Sequence, residues 1–132
     1  MKKKKPNIFV IIPAFNEESQ ITSVVRSVAK HCDTVIVVDD GSSDKTSEAA
    51  RGSNAIVLKH CINLGQGAAL QTGLDYCIPL RPDVVLTFDA DGQFVSSEIP
   101  KLVELLISKN YDIVLGSRFL GNTENMPRFR KI

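Results

Sequence analysis

Val84-Val85-Leu86-Thr87-Phe88-Asp89-Ala90-Asp91-Gly92-Gln93 joins a short, apolar, β-branched run to two carboxylates and a side-chain amide. The run suits a strand covered on both faces. Asp89 and Asp91 then fall just past its carboxyl end, where an open α/β sheet keeps its ligand crevice.

The same alternation extends outward in both directions. Residues 7–12 read as a first strand ended by Pro13, which cannot donate to a ladder. Asn16 is placed to cap a helix carrying Glu17 and Glu18 in its first turn, with Ile21, Val24, Val25 and Val28 on its buried face. Residues 34–38 form a second strand running into Asp39-Asp40-Gly41-Ser42-Ser43-Asp44, and a short helix through Glu48, Ala49 and Ala50 follows. Residues 55–58 give a third strand, and Asn63-Leu64-Gly65-Gln66-Gly67 opens a helix reaching Cys77 with Leu70, Gly73, Leu74, Cys77 and Ile78 as its buried stripe. Beyond the opening stretch, Ser96 is expected to cap a helix with Ile99, Leu102, Val103, Leu106 and Ile107 on one face, and residues 112–116 to form a fifth strand ending at Ser117 and Arg118. Strand and helix in strict alternation predict an α/β fold with a doubly wound, mostly parallel sheet.

Length and composition agree with this. A chain of 132 residues, 43% apolar and 23% charged, is about one globular domain, and no apolar run approaches the ~18 residues of a membrane helix. The apolar segment after Lys2–Lys5 is too short for a signal peptide, so a cytoplasmic protein is expected. The net charge of +1 conceals an acidic body: without Lys2–Lys5, Arg128, Arg130 and Lys131, nine basic side chains face 15 acidic ones. The basic start reads as a solvated tail, with attraction to anionic lipid headgroups as the second reading. No basic stripe interleaved with aromatics speaks for nucleic acid. Cys32, Cys61 and Cys77 are odd in number and lack a C-x-x-C pair, so they read as small core residues.

In a doubly wound sheet, Glu17, Asp39, Asp40, Asp89 and Asp91 gather at one edge, where they repel unless a cation or hydroxyl-rich ligand is present. Asp-x-Asp at a strand end suits a hard divalent cation, with Gln93 a third group in reach; a plain turn remains the alternative. An EF-hand fails, because Phe94 stands where its glycine belongs and Pro100 where its glutamate belongs. A phosphatase using Asp89 as nucleophile stays open, although such proteins carry the pair on their first strand. Asp39-Asp40 suits a base or ribose, or merely caps a turn. The glycines of 63–67 suit a backbone that approaches a ligand, or close packing of a helix on the sheet. Arg118 suits a phosphate or a surplus carboxylate, and His31 and His60 read as structural.

Together, residues 11–18, Val37-Val38-Asp39-Asp40-Gly41-Ser42-Ser43-Asp44, Asn63-Leu64-Gly65-Gln66-Gly67, Asp89-Ala90-Asp91-Gly92-Gln93 and Gly116-Ser117-Arg118 resemble the family-two glycosyltransferases, and within them the dolichyl- or polyprenyl-phosphate sugar transferases. The resemblance implies a GT-A fold and an inverting transfer from a GDP- or UDP-linked sugar to a lipid phosphate at the cytoplasmic face of a membrane. It implies that Pro13, Phe15, Glu17, Asp39, Asp40, Asn63 and Gly67 hold the nucleotide, that Asp89, Asp91 and Gln93 hold Mg²⁺ or Mn²⁺, and that Asp89, Asp91 and Arg118 serve catalysis. It also implies a division into a basic tail (1–6), a nucleotide-sugar-binding domain (7–120) and the start of an acceptor loop (121–132). A donor-binding part of a longer enzyme, without activity of its own, is the accompanying expectation.

Overall fold

The computed structural model describes residues 4–92 and 94–116, in two compact units that meet in sequence between Ile99 and Pro100. The first unit holds β1 (Ile8–Ala14), α1 (Ile21–Ala29), β2 (Thr34–Asp39), α2 (Thr46–Gly52), β3 (Ile56–Lys59), α3 (Gln66–Cys77) and β4 (Val84–Thr87). All four strands pair in parallel, in the order β3-β2-β1-β4. The chain builds outward from β1 through β2 to β3, then returns across the sheet to place β4 on the other side of β1. A connection that reverses direction carries its helix to the opposite face. Accordingly Phe9 and Ile11 of β1 and Ile36 and Val38 of β2 pack with Ala69 and Cys77 of α3. The alternate positions, Val10, Ile12, Val35 and Val37, point to the other face, and α1 buries its Ile21, Val24, Val25 and Val28 stripe as its 3.6-residue spacing requires.

Pro13 does not end β1, contrary to expectation. The strand continues to Ala14, with Pro13 opposite Val38. Even-numbered residues of β1 bond toward β2, as when the Asp40 N–H donates to the Ala14 carbonyl at 2.8 Å. Odd-numbered ones bond toward β4, as when the Phe88 N–H donates to the Ile11 carbonyl at 2.9 Å. The nitrogen that lacks a proton therefore faces β4, and that ladder stops at Ile11 opposite Thr87 while the ladder to β2 runs on.

Asn16 does not cap α1 either. It adopts a left-handed φ of 52°, and α1 begins five residues later, preceded by Gln20. Residues 84–87 are not covered on both faces: Val84 is buried, Val85 and Leu86 are half-buried and Thr87 is exposed, and β4 is an edge of the described sheet. Ile78, expected on the α3 stripe, has left the helix for a 3₁₀ turn and is 60% exposed. Of the cysteines only Cys77 is in the core; Cys61 is exposed, and burial followed by the charge of Asp33 pushes the half-buried Cys32 thiol up to about 11.

The second unit holds most of α4 (Ile99–Ser108), preceded by a 3₁₀ turn over Ser96–Glu98, so that Ser96, expected as the cap, lies inside that turn, whose N-cap is Val95. Ile107, assigned to the apolar face, is exposed. The helix ends in a Schellman motif on Asn110, whose φ is 53°: the Tyr111 N–H donates to the Leu106 carbonyl at 2.9 Å and the Asn110 N–H to that of Ile107 at 3.2 Å. The fifth strand expected at 112–116 is absent from the described residues. Ile113 and Leu115 are 75% and 85% exposed. An apolar, β-branched run becomes a strand only when a partner edge supplies its ladder, and among the described residues none pairs with it. Among the described residues no helix is long and apolar enough to cross a membrane.

Close packing of α3 on the sheet falls on Gly73, where a β-carbon would lie 2.5 Å from Cγ2 of the fully buried Ile11, and not on Gly65 or Gly67, which have open space. Gly73→Ala should therefore lower stability by about 1–2 kcal/mol, overpacking outweighing the roughly 1 kcal/mol of helix propensity gained. Pairing it with Ile11→Val should recover part of that loss. Urea denaturation of the two single variants and the double variant checks this, and a rise in stability for Gly73→Ala alone would refute the close approach.

Candidate nucleotide-sugar site at the sheet switch point

Where strand order reverses, between the carboxyl ends of β1 and β4, a cleft of about 400 Å³ opens. Pro13, Phe15 and Glu17 line it from the end of β1, Asp40 from β2, Asn63, Gly65, Gln66 and Ala69 from the start of α3, and Asp89 and Asp91 from β4. The structure thus brings together seven of the side chains singled out in the sequence. Asp39 and Gly67 do not line the cleft, and Gln93 and Arg118 lie outside the described residues.

Two neighbouring aspartates end in different employment. Asp39 is fully buried: its Oδ1 accepts from the Ser42 N–H at 2.9 Å, its Oδ2 accepts from the Ser47 hydroxyl, and Lys59 Nζ stands 3.7 Å away. Burial raises its pKa, but those hydrogen bonds and Lys59 outweigh burial and leave it below the usual carboxylate range. Asp39 therefore holds together the turn after β2. Asp40, 4% exposed, accepts from the backbone N–H groups of Leu64 and Gly65, both at 2.8 Å, and faces His60 Nδ1 at 2.7 Å. For it too, burial is overcome by those donors, and its pKa is lowered.

The loops after β1 and β2 are bonded to each other. Asn16 donates its N–H to the Ser42 hydroxyl and accepts from the Ser43 N–H through Oδ1; the Glu17 N–H donates to Thr46 Oγ1 and the Glu18 N–H to Asp44 Oδ2. Asn16 thus ties two loops together where a helix cap was expected. Gly41, at φ 75°, allows a further approach: a β-carbon there would stand 2.5 Å from the Ile62 carbonyl carbon. That closeness puts residues 62–65 over Asp40.

Beyond β4, the rings of Phe88 and Phe94, with centroids 5.9 Å apart, brace the acidic turn, and Gln66 Nε2 donates to Asp89 Oδ1 at 3.2 Å. Glu17 is made a weaker acid by partial burial first, then by the charges of Asp91 and Asp44. The carboxylates that line the cleft are hard oxygen donors, the type that a divalent cation such as Mg²⁺ or Mn²⁺ takes. Among the described residues no three acidic, His or Cys side chains form a ready metal cluster. His60 and Gln66 escaped sequence reasoning because their partners, Asp40 with Thr72 and Asp89, are 12 or more residues away.

The family model for Glycosyl transferase family 2 matches residues 9–132. An uncharacterized protein of Methanocaldococcus jannaschii is 41% identical over 131 residues, covering 97% of this chain and 54% of its own length. The UDP-N-acetylglucosamine–dolichyl-phosphate N-acetylglucosaminyltransferase of Methanococcus voltae is 37% identical, covering 95% of this chain and 58% of its own. The chain spans about half the length of these curated relatives. Among solved structures, glucosyl-3-phosphoglycerate synthase of Mycobacterium tuberculosis, in complex with Mn²⁺, UDP and glucosyl-3-phosphoglycerate, superposes with a TM-score of 0.67 at 31% identity, covering 78% of this chain and 40% of that one. The expected doubly wound, parallel GT-A sheet is borne out.

Asp39 and Asp40 both titrate below their unfolded-state values, so the stability they confer is complete above about pH 4 and is lost as pH falls through their folded values. Asp39→Asn should lose about 2 kcal/mol or more at pH 7, because an amide cannot accept from every donor Asp39 holds. It should also show a shallower decline in acid. Denaturation from pH 7 to pH 2.5 compares the two slopes; equal slopes would remove Asp39 from the acid transition.

Proposed function

Since the chain belongs to glycosyl transferase family 2, we propose that it is the donor-binding part of an inverting, metal-dependent enzyme that moves a sugar from a nucleoside-diphosphate sugar to a polyprenyl or dolichyl phosphate. The observation that carries this reading is the cleft itself, in which Glu17, Asp40, Asp89 and Asp91 converge from three strand ends at the switch point. The N-acetylglucosaminyltransferase relative carries a UDP-linked sugar and dolichyl phosphate in its name, which favours uridine over guanosine donors and a lipid phosphate as acceptor.

Within the cleft, Pro13 and Phe15 flank the nucleoside, Asp40 accepts a hydrogen bond from the base, and the backbone at Asn63 and Gly65 closes over it. Asp89 lies toward the ribose and Asp91 toward the diphosphate. A divalent cation held by Asp89 and Asp91, with Gln93 assisting, would neutralise the departing diphosphate. The acceptor phosphate oxygen forms a bond to the anomeric carbon from the face opposite the diphosphate, whose bond to that carbon breaks. Such an acceptor is already an anion at neutral pH, so the site needs no general base. Arg118 is assigned to the phosphates or acceptor on the sequence resemblance. Lys2–Lys5 provide positive charge that suits an anionic leaflet, as a lipid acceptor at a cytoplasmic membrane face requires.

Calorimetry with UDP and GDP, each with and without Mn²⁺, tests the reading. UDP should bind more tightly with Mn²⁺ present, and Asp91→Asn should remove most of that gain, tenfold or more. If Asp91→Asn binds UDP and Mn²⁺ as tightly as the parent, the metal role fails; if no nucleotide binds the parent, the donor role fails.

A further inference from the structure

Asp40 is almost fully enclosed, and its donors can be counted. Oδ1 takes the Leu64 N–H and His60 Nδ1; Oδ2 takes the Gly65 N–H. A carboxylate presents about four acceptor sites, so one remains, on Oδ2, in a residue that lines the cleft.

His60 is enclosed in the same way, with its side chain 10% exposed. An ionised carboxylate only accepts, so Nδ1 carries a proton and donates it to Asp40. On the other side of the ring Nε2 is hydrogen-bonded to the Thr72 hydroxyl, which can donate or accept, at 2.8 Å. Thr72 sits on α3 beside Gly73, the residue pressed against Ile11. A chain of hydrogen bonds therefore runs from the helix seated on the sheet, through His60, to the carboxylate in the cleft.

We infer that His60, backed by Thr72, is a positioning residue that fixes the Asp40 carboxylate with one acceptor site left for an incoming nucleobase, so that the cleft favours a base presenting a ring N–H there, such as uracil, over cytosine. The inference rests on the donor-site reading above. Cytosine brings a ring-nitrogen lone pair where uracil brings N–H, and a lone pair facing a fixed carboxylate is repelled. Without His60, Oδ1 loses its only side-chain donor and the carboxylate gains freedom to turn. It can then meet the cytosine amino group, and the discrimination relaxes.

The test measures the affinities of UDP, CDP and inorganic diphosphate, all with Mn²⁺, for the parent, His60→Leu, His60→Asn and Thr72→Val, with thermal melting to report folding. His60→Leu should weaken UDP about tenfold or more, change CDP much less, and leave diphosphate unchanged, so that the UDP-to-CDP ratio narrows. His60→Asn, whose amide N–H replaces Nδ1–H, should restore the ratio, and Thr72→Val should fall between. An unchanged ratio in His60→Leu, or an equal loss for all three ligands, overturns the inference while the donor reading stands. Failure of the parent to bind either nucleotide removes the donor reading, and this inference with it.

Discussion

A carboxylate taken out of water must find its hydrogen bonds inside the protein, or it costs several kcal/mol. Asp39 and Asp40 are both nearly inaccessible, and the architecture around the cleft follows from supplying them. Asp39 draws in Ser42 and Ser47 and so shapes the turn into α2. Asp40 draws in the backbone of Leu64 and Gly65 and so fixes where α3 begins. Among the described residues no buried side-chain polar atom is left without a partner.

The acidic residues therefore divide by what solvates them. Asp39 and Asp44 are bonded by their own turns, with Lys59 beside the first and the Glu18 N–H donating to the second, and they hold loops in place. Glu17, Asp89 and Asp91 line the open cleft, where partial burial and then the charges of Asp91 and Asp44 make Glu17 a weaker acid. Asp40 belongs to both groups, held by the protein on most sides and still lining the cleft. Composition counts these side chains alike; only their neighbours distinguish them.

Local pattern made the fold legible. The apolar runs of β1 to β3 and the spacing of Ile21, Val24, Val25 and Val28 place elements close to where they lie, because each signal is contained within a few adjacent residues. The Asp-x-Asp pair at a strand end located the cleft for the same reason. What escaped depends on contact at long range. Asn16 has the chemistry of a cap but bonds to Ser42 and Ser43, 26 and 27 residues away. Residues 112–116 have strand propensity without a ladder. His60 reads as an isolated histidine until Asp40 and Thr72 are seen on either side of it.

Pro13 gives the cleft a mechanical property. At most positions, parting two adjacent strands abandons backbone hydrogen bonds, and each one resists the opening. Here the strand next to the gap has no N–H to offer β4 beyond Ile11, so the seam between them is already unlaced at its carboxyl end. Phe15 and the acidic turn therefore lie on opposite sides of a seam that no rung of the β1–β4 ladder crosses beyond Ile11 and Thr87. The stiff β1–β2 ladder, which runs on to Ala14 and Asp39, stays as the fixed jaw.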